Sequence, residues 1–161
     1  MKCRLLCLLA FTLAALLLPR VASAQSLQLE FALNPGGVQP GGLINGSLVI
    51  GNSGSGSTGP LTMNVLWPER VGAFPFTTSG GSCSGSCSPG ELLVWDTGDL
   101  GSLSPGETRQ VGFAEEISSN APDGTVIPFE VELYEDGVLR STLSRSVTVQ
   151  SQSPLRLAID A

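Results

Sequence analysis

Two cysteines stand four positions apart in TTSGGSCSGSCSPGE, residues 77–91, in a run made almost entirely of Ser and Gly. Thiols at such a spacing can hold a metal, run a redox cycle or close a disulfide, and the compartment decides among these. A thiolate metal site needs further ligands. The chain has no histidine, and its other cysteines, Cys3 and Cys7, belong to the extreme N-terminus. A catalytic redox pair has two intervening residues and an electropositive or helix-terminal setting. Here Ser84, Gly85 and Ser86 intervene, and no basic residue lies in the run.

Other residue types could also carry chemistry. Asp96, Asp99 and Glu107 bracket the run LGSLSPG and could give oxygens to a calcium ion, which takes several; the alternative is a set of solvated carboxylates at a turn. Glu115 with Glu116, or Glu130 with Glu132, could suggest the paired carboxylates of a glycosidase. Adjacent strand residues face opposite ways, however, and Glu130 and Glu132 fall on an outward, Arg-facing surface. Asn45-Gly46-Ser47 spells a glycosylation acceptor, but inside a strand pattern, where chance is the simpler reading. Trp67 and Trp95 could form an aromatic platform for sugar, although Trp95 within LLVWD reads as core. Without histidine there is no Ser-His-Asp or Cys-His catalysis and no histidine-containing zinc site. No catalytic residue, metal ligand or cofactor is expected, and the chain is not expected to be an enzyme.

The compartment is written at the N-terminus. In MKCRLLCLLAFTLAALLLPRVASAQ, Lys2 and Arg4 lead, an apolar run covers Leu5 to Leu18, and Ala22-Ser23-Ala24 precedes Gln25. This is the pattern of a secretory signal peptide, residues 1–24, cut after Ala24; the apolar run is shorter than the roughly 20 residues that span a bilayer. Cleavage removes Cys3 and Cys7, so in an oxidising compartment Cys83 and Cys87 are expected to pair. Closing so small a ring contributes at most about 2 kcal/mol in the loop-entropy model, so the bond is a loop staple. The mature chain keeps five Arg and no Lys against fourteen Asp and Glu, a net charge of −9. Nucleic acid and anionic lipid both require dense positive charge, so neither is an expected partner, nor is membrane insertion of the mature chain. A secreted, periplasmic or surface location is expected.

The elements that must position these residues are strands. Short alternating runs separated by Gly, Pro and Ser clusters predict an all-β sandwich of about seven strands. They are Leu27 to Leu33, Leu43 to Gly51, Pro60 to Trp67, Leu92 to Asp96, Thr108 to Ile117, Val126 to Glu135 and Val138 to Gln150, with a short extra piece near Phe74 to Thr77. Pro-Gly pairs at Pro35, Pro40, Pro89 and Pro105 each precede an apolar run and predict type II turns. For the last hairpin, a two-residue Asp136-Gly137 loop would set Leu133 opposite Arg140 and Glu130 opposite Leu143. A three-residue loop over Glu135-Asp136-Gly137 pairs Leu133 with Leu139, Phe129 with Leu143 and Glu132 with Arg140, and is the register expected. Alternation predicts a core of Val49, Val65, Leu93, Trp95, Val111, Phe113, Phe129, Val131 and Leu133.

Several of these runs carry a resemblance. Asn52 with Gly54, Trp67-Pro68, the turn Leu100-Gly101-Ser102-Leu103-Ser104-Pro105-Gly106, and Gly124-Thr125-Val126-Ile127 are similar to the pattern of the DUF11 bacterial extracellular immunoglobulin-like repeat, with CARDB modules close by. The resemblance implies an immunoglobulin-like antiparallel sandwich over residues 25–150. It also implies a non-catalytic structural or adhesive spacer at the surface or outside the cell, with neighbouring repeats, a surface protein or a glycan as partners. The alternative is an accessory, carbohydrate-binding module of a secreted enzyme whose catalytic part lies outside this chain. In residues 151–161, SQSPLRLAIDA, a short linker precedes Leu155, Leu157 and Ile159, which alternate as Leu27, Leu29 and Phe31 do. That tail is expected to be a linker and the start of a second repeat.

Overall fold

Strict alternation of buried and solvent-facing residues governs most of the strands, because successive side chains of a strand point to opposite faces. The computed structural model describes residues 27–83 and 85–151. The expected signal peptide with its cut after Ala24, and the tail with Leu155, Leu157 and Ile159, lie outside the described residues.

The elements run β1 (Leu27–Asn34), β2 (Gly37–Val38), β3 (Leu43–Asn52), β4 (Leu61–Leu66), β5 (Phe76–Thr78), β6 (Ser82–Cys83), β7 (Leu92–Trp95), α1 (Thr97–Leu100), β8 (Thr108–Glu116), β9 (Val126–Glu135) and β10 (Val138–Val149). They form two sheets, ordered β1-β3-β8-β5 and β2-β10-β9-β4-β7-β6. All pairings are antiparallel except that of β2 with β10. The seven predicted strands are present, and β2, β6 and α1 are additional. The fold is an immunoglobulin-like β-sandwich.

Between the sheets lies a core that includes Ile44, Leu48, Ile50, Met63, Val65, Trp67, Leu93, Trp95, Val111, Phe113, Phe129, Val131 and Leu133. Its centre is aromatic. Trp67 meets Phe113 and Phe129 edge-on at centroid distances of 5.4 and 6.0 Å, and the two Phe rings stack at 5.5 Å. Such pairs contribute about 0.5–1.5 kcal/mol each beyond their buried area. Gly46 makes this possible: a Cβ there would stand inside the Phe113 ring's space, so the ring lies directly over the β3 backbone.

Three expectations are corrected. Val49 is not core; it shares the outer face of β3 with Asn45 and Ser47, while Ile44, Leu48 and Ile50 point inward. In Leu48-Val49-Ile50 three apolar residues adjoin, so alternation alone fits either phase. The Pro35-Gly36 pair is not a type II turn: the Asn34–Pro35 bond is cis and Gly36 has no positive φ. The other three pairs follow the expectation, with Gly41, Gly90 and Gly106 at φ of 76°, 85° and 77°. Each closes an i to i+3 bond of 2.8–3.0 Å, from Gly42, Glu91 and Glu107 N–H to Gln39, Ser88 and Ser104 carbonyls.

The hairpin is the third correction. Val138 pairs with Glu135, and Asp136 and Gly137 both take positive φ, 52° and 73°. This is the two-residue primed turn, which matches strand twist. The register then shifts between Leu139 and Ser141, so Leu139 faces Tyr134 and Leu143 faces Val131. The bulge at Arg140 repairs what the short loop alone would misalign. The short turn leaves Leu139 on the outer face opposite Tyr134, 48% exposed, and Arg140 at the bulge reaches Glu135 rather than Glu132, at 3.0 Å. Glu135 is 2% exposed and its other oxygen accepts the Gly59 N–H at 2.9 Å, so the buried carboxylate is satisfied on both sides.

Candidate functional site

The two ends of the sandwich differ in construction. At the end where β1 begins, Leu27 pairs with Asn52, and the Asn52 side chain organises the adjoining loops. Its Nδ2 donates to the Leu103 carbonyl at 3.0 Å and the Gly56 carbonyl at 2.7 Å, and its Oδ1 accepts the Gly54 N–H at 3.0 Å. The Thr58 hydroxyl accepts the Leu103 N–H at 2.8 Å. The turn Leu100, Gly101, Leu103, Pro105 and Gly106 is thus one half of an interlocked pair of loops. Leu100 and Leu103 are fully buried, Gly101 ends α1 at φ 62°, and Pro105-Gly106 makes the reversal into β8.

The carboxylates near this turn have protein partners. Asp96 caps α1, accepting the Gly98 and Asp99 N–H groups, and Asp99 reaches back to the Asp96 N–H in a capping box. The Asp99 carboxylate also accepts the Gly81 N–H at 3.0 Å. Glu107 accepts the Ser104 N–H at 2.9 Å and pairs with Arg109 at 2.8 Å. The Ser104 bond first, and Arg109 after it, hold the Glu107 carboxyl below its ordinary pKa. Among the described residues no cluster of three or more metal-ligating side chains occurs.

At the opposite end β10 finishes, with the Val149 N–H donating to Thr125 and the Gly124 N–H to Val149, both at 2.8 Å. The Asp123 carboxyl accepts the Ser151 N–H, a bond that lowers its pKa. The cysteine loop lies here too. Cys83 and Cys87 form a disulfide with Cα atoms 5.3 Å apart, and Cys87 is buried against the core. Beside it a groove of about 560 Å³ on the six-stranded sheet is lined by Leu66, Pro68, Pro89, Val126 and Pro128, with Glu130 at its side.

Of the other candidates, Glu115 and Glu116 occupy opposite faces of β8, joined by the Glu116 N–H donating to the Glu115 carboxylate. Glu132 accepts the Tyr134 hydroxyl at 2.6 Å, which raises the Tyr134 pKa, and Glu130 faces solvent. Both tryptophans are fully buried, so neither is a sugar platform; Trp67 donates to the Gly72 carbonyl at 2.7 Å and Trp95 to the Thr78 carbonyl at 3.2 Å. The exposed aromatics are instead Phe74 and Phe76, 80% and 74% accessible, which the strand pattern placed near an element without assigning them a role. Their setting, AFPFTT, interrupts alternation with a proline, and this was the signal available.

No family model matches the chain, and no curated protein matches it. Solved structures do. The major pilin subunit BcpA of Bacillus cereus superposes with a TM-score of 0.53 at 8% identity, over 77% of this chain and 40% of that one. The seventh ScaB type I cohesin of Pseudobacteroides cellulosolvens gives 0.51 at 14% identity, over 79% and 95%. A CARDB domain from Pyrococcus furiosus, solved with two metal ions, gives 0.49 at 15% identity, over 78% and 88%. At these identities the likeness is one of fold, an immunoglobulin-like sandwich.

Proposed function

We propose that the mature chain is a secreted, non-catalytic immunoglobulin-like module of the DUF11 and CARDB kind, acting as an in-line structural or adhesive spacer between neighbouring domains. The observation that carries this reading is the path of the chain. Leu27 enters beside Asn52, which also accepts the Gly106 N–H, and Val149 leaves beside Val38 and Thr125 at the other end. The twelve residues of β10 alone cover about 40 Å at strand rise. A domain whose chain enters and leaves at opposite ends adds its whole length to a string of domains. The dense acidic charge and the disulfide-closed loop suit exposure outside the cell.

Intact-mass measurement of protein recovered from the medium or periplasm tests the secreted half of the proposal. The expected species begins at Gln25, weighs two hydrogens less than the dithiol form, and takes up no alkylating reagent until reduced. Retention of Met1–Ala24, or two cysteines alkylated in the native protein, contradicts it.

A further inference from the structure

We infer that the outer face of the four-stranded sheet, walled by Phe76, is a binding site for a neutral polysaccharide. The register defines the face row by row. Asn34, Asn45, Ala114 and Phe76 lie in line across β1, β3, β8 and β5; Ala32, Ser47, Gly112 and Thr78 form the next row, and Glu30, Val49 and Gln110 the third. A shallow depression of about 310 Å³ crosses these rows, and every residue lining it is uncharged. Its floor is low because Gly112 and Ala114 lie at its centre. Strand spacing of about 4.8 Å makes the face roughly 14 Å wide from the β5 to the β1 column.

Three properties of this face select the ligand. First, Phe76 is 74% exposed on the edge strand β5, and Phe74, two residues upstream, is 80% exposed. A ring so placed offers a flat apolar surface, which the C–H face of a sugar covers. Second, the polar groups beside it both donate and accept: the carboxamides of Asn45 and Gln110 and the hydroxyls of Ser47 and Thr78. Gln110 Nε2 donates to Ser47 Oγ at 3.1 Å, and the Asn45 and Gln110 side chains remain solvent-facing. Such groups match hydroxyls, which likewise do both. Third, in a mature chain of net charge −9 these three rows hold one ionisable group, Glu30, on the edge strand farthest from Phe76. Arg145 borders the β1 side of the face with Glu30, and Glu116 lies one row beyond Ala114, but the depression beside Phe76 is itself lined by no charged side chain, so its floor offers neither ion a partner. A neutral polyhydroxylated chain satisfies the face without an unpaired charge. The site is independent of the spacer proposal, since a module in a string can carry it or lack it.

Native affinity electrophoresis of the mature protein through gels containing hydroxyethylcellulose, xylan or glucomannan tests this, with polygalacturonate as the anionic comparison. At least one neutral polymer should retard the protein, and polygalacturonate should not. Phe76→Ala should weaken that retardation about tenfold or more, the equivalent of about 1.4 kcal/mol, and Asn45→Ala should weaken it less. Leu66→Ser, on the opposite sheet, should leave it unchanged. Both test positions are exposed, so circular dichroism should show the variants folded. Retardation by none of the three neutral polymers, retardation only by polygalacturonate, or a Phe76→Ala protein that migrates as the wild type does overturns the inference. So does concentration-dependent dimerisation abolished by Phe76→Ala without polymer binding, which would assign the face to a second copy.

Discussion

Phe129→Ala should leave little folded protein at about 37 °C, because truncating a buried Phe costs roughly 3–5 kcal/mol out of a domain stability of about 5–15. Phe129 is fully buried where the two sheets meet, touching Trp67 and Phe113, so its loss opens a cavity bounded by two rings that the β3 and β4 backbones hold in place. The neighbouring Glu130 faces solvent from the same strand, and Glu130→Ala should change the unfolding free energy by less than about 0.5 kcal/mol. Urea titrations followed by tryptophan fluorescence read both, since Trp67 and Trp95 are buried. Equal midpoints for the two variants would contradict the register of β9.

Asn52→Ala should cost about 3 kcal/mol, a large effect for a polar residue at a loop boundary. Asn52 is 1% exposed, and removing its carboxamide deletes three hydrogen bonds at about 1 kcal/mol each: those to the Gly56 carbonyl and the Gly54 N–H, and one of the two that the Leu103 carbonyl accepts, the Thr58 N–H at 2.9 Å remaining. Asn52→Asp should be worse near neutral pH, because it replaces a donor facing two carbonyls with a buried negative charge. Asn45→Ala, exposed in the same strand, should be nearly silent. The same titrations, with thermal melts alongside, distinguish these outcomes; an Asn52→Ala protein as stable as the wild type would remove Asn52 from its organising role.

Much of the fold could be read from local pattern, and the exceptions have local causes. Phe129, Val131 and Leu133 alternate with Glu130, Glu132 and Tyr134, so polarity alone fixes their phase, and the structure agrees. Leu48-Val49-Ile50 offers no such contrast, and there the phase was misassigned. The hairpin shows a different limit. Leu143 had to face apolar residues, and two devices achieve that: a longer loop, or a short loop followed by a bulge. The sequence pattern is compatible with both; the bulge is accompanied by the Arg140–Glu135 pair, a contact visible only once β4 and the Gly59 loop are in place. Likewise Asp96 and Asp99 were legible as oxygen-bearing residues at a turn, but their roles as cap and cross-loop acceptor depend on Gly81, distant in sequence. Phe74 and Phe76 are exposed although burial is the default for Phe, whereas both tryptophans are core, so residue type alone does not separate the two pairs.

The most direct measurement of the central claim is the distance between the two points where the chain meets the domain. Spin labels on cysteines introduced at Gln28 and Ser151, both exposed, can be measured by double electron–electron resonance with the Cys83–Cys87 disulfide intact. An in-line spacer predicts a single distribution centred at about 40 Å, set by the length of β10. A distribution centred below about 20 Å, the scale of the sandwich's thickness rather than its length, would place both termini at one end and contradict it.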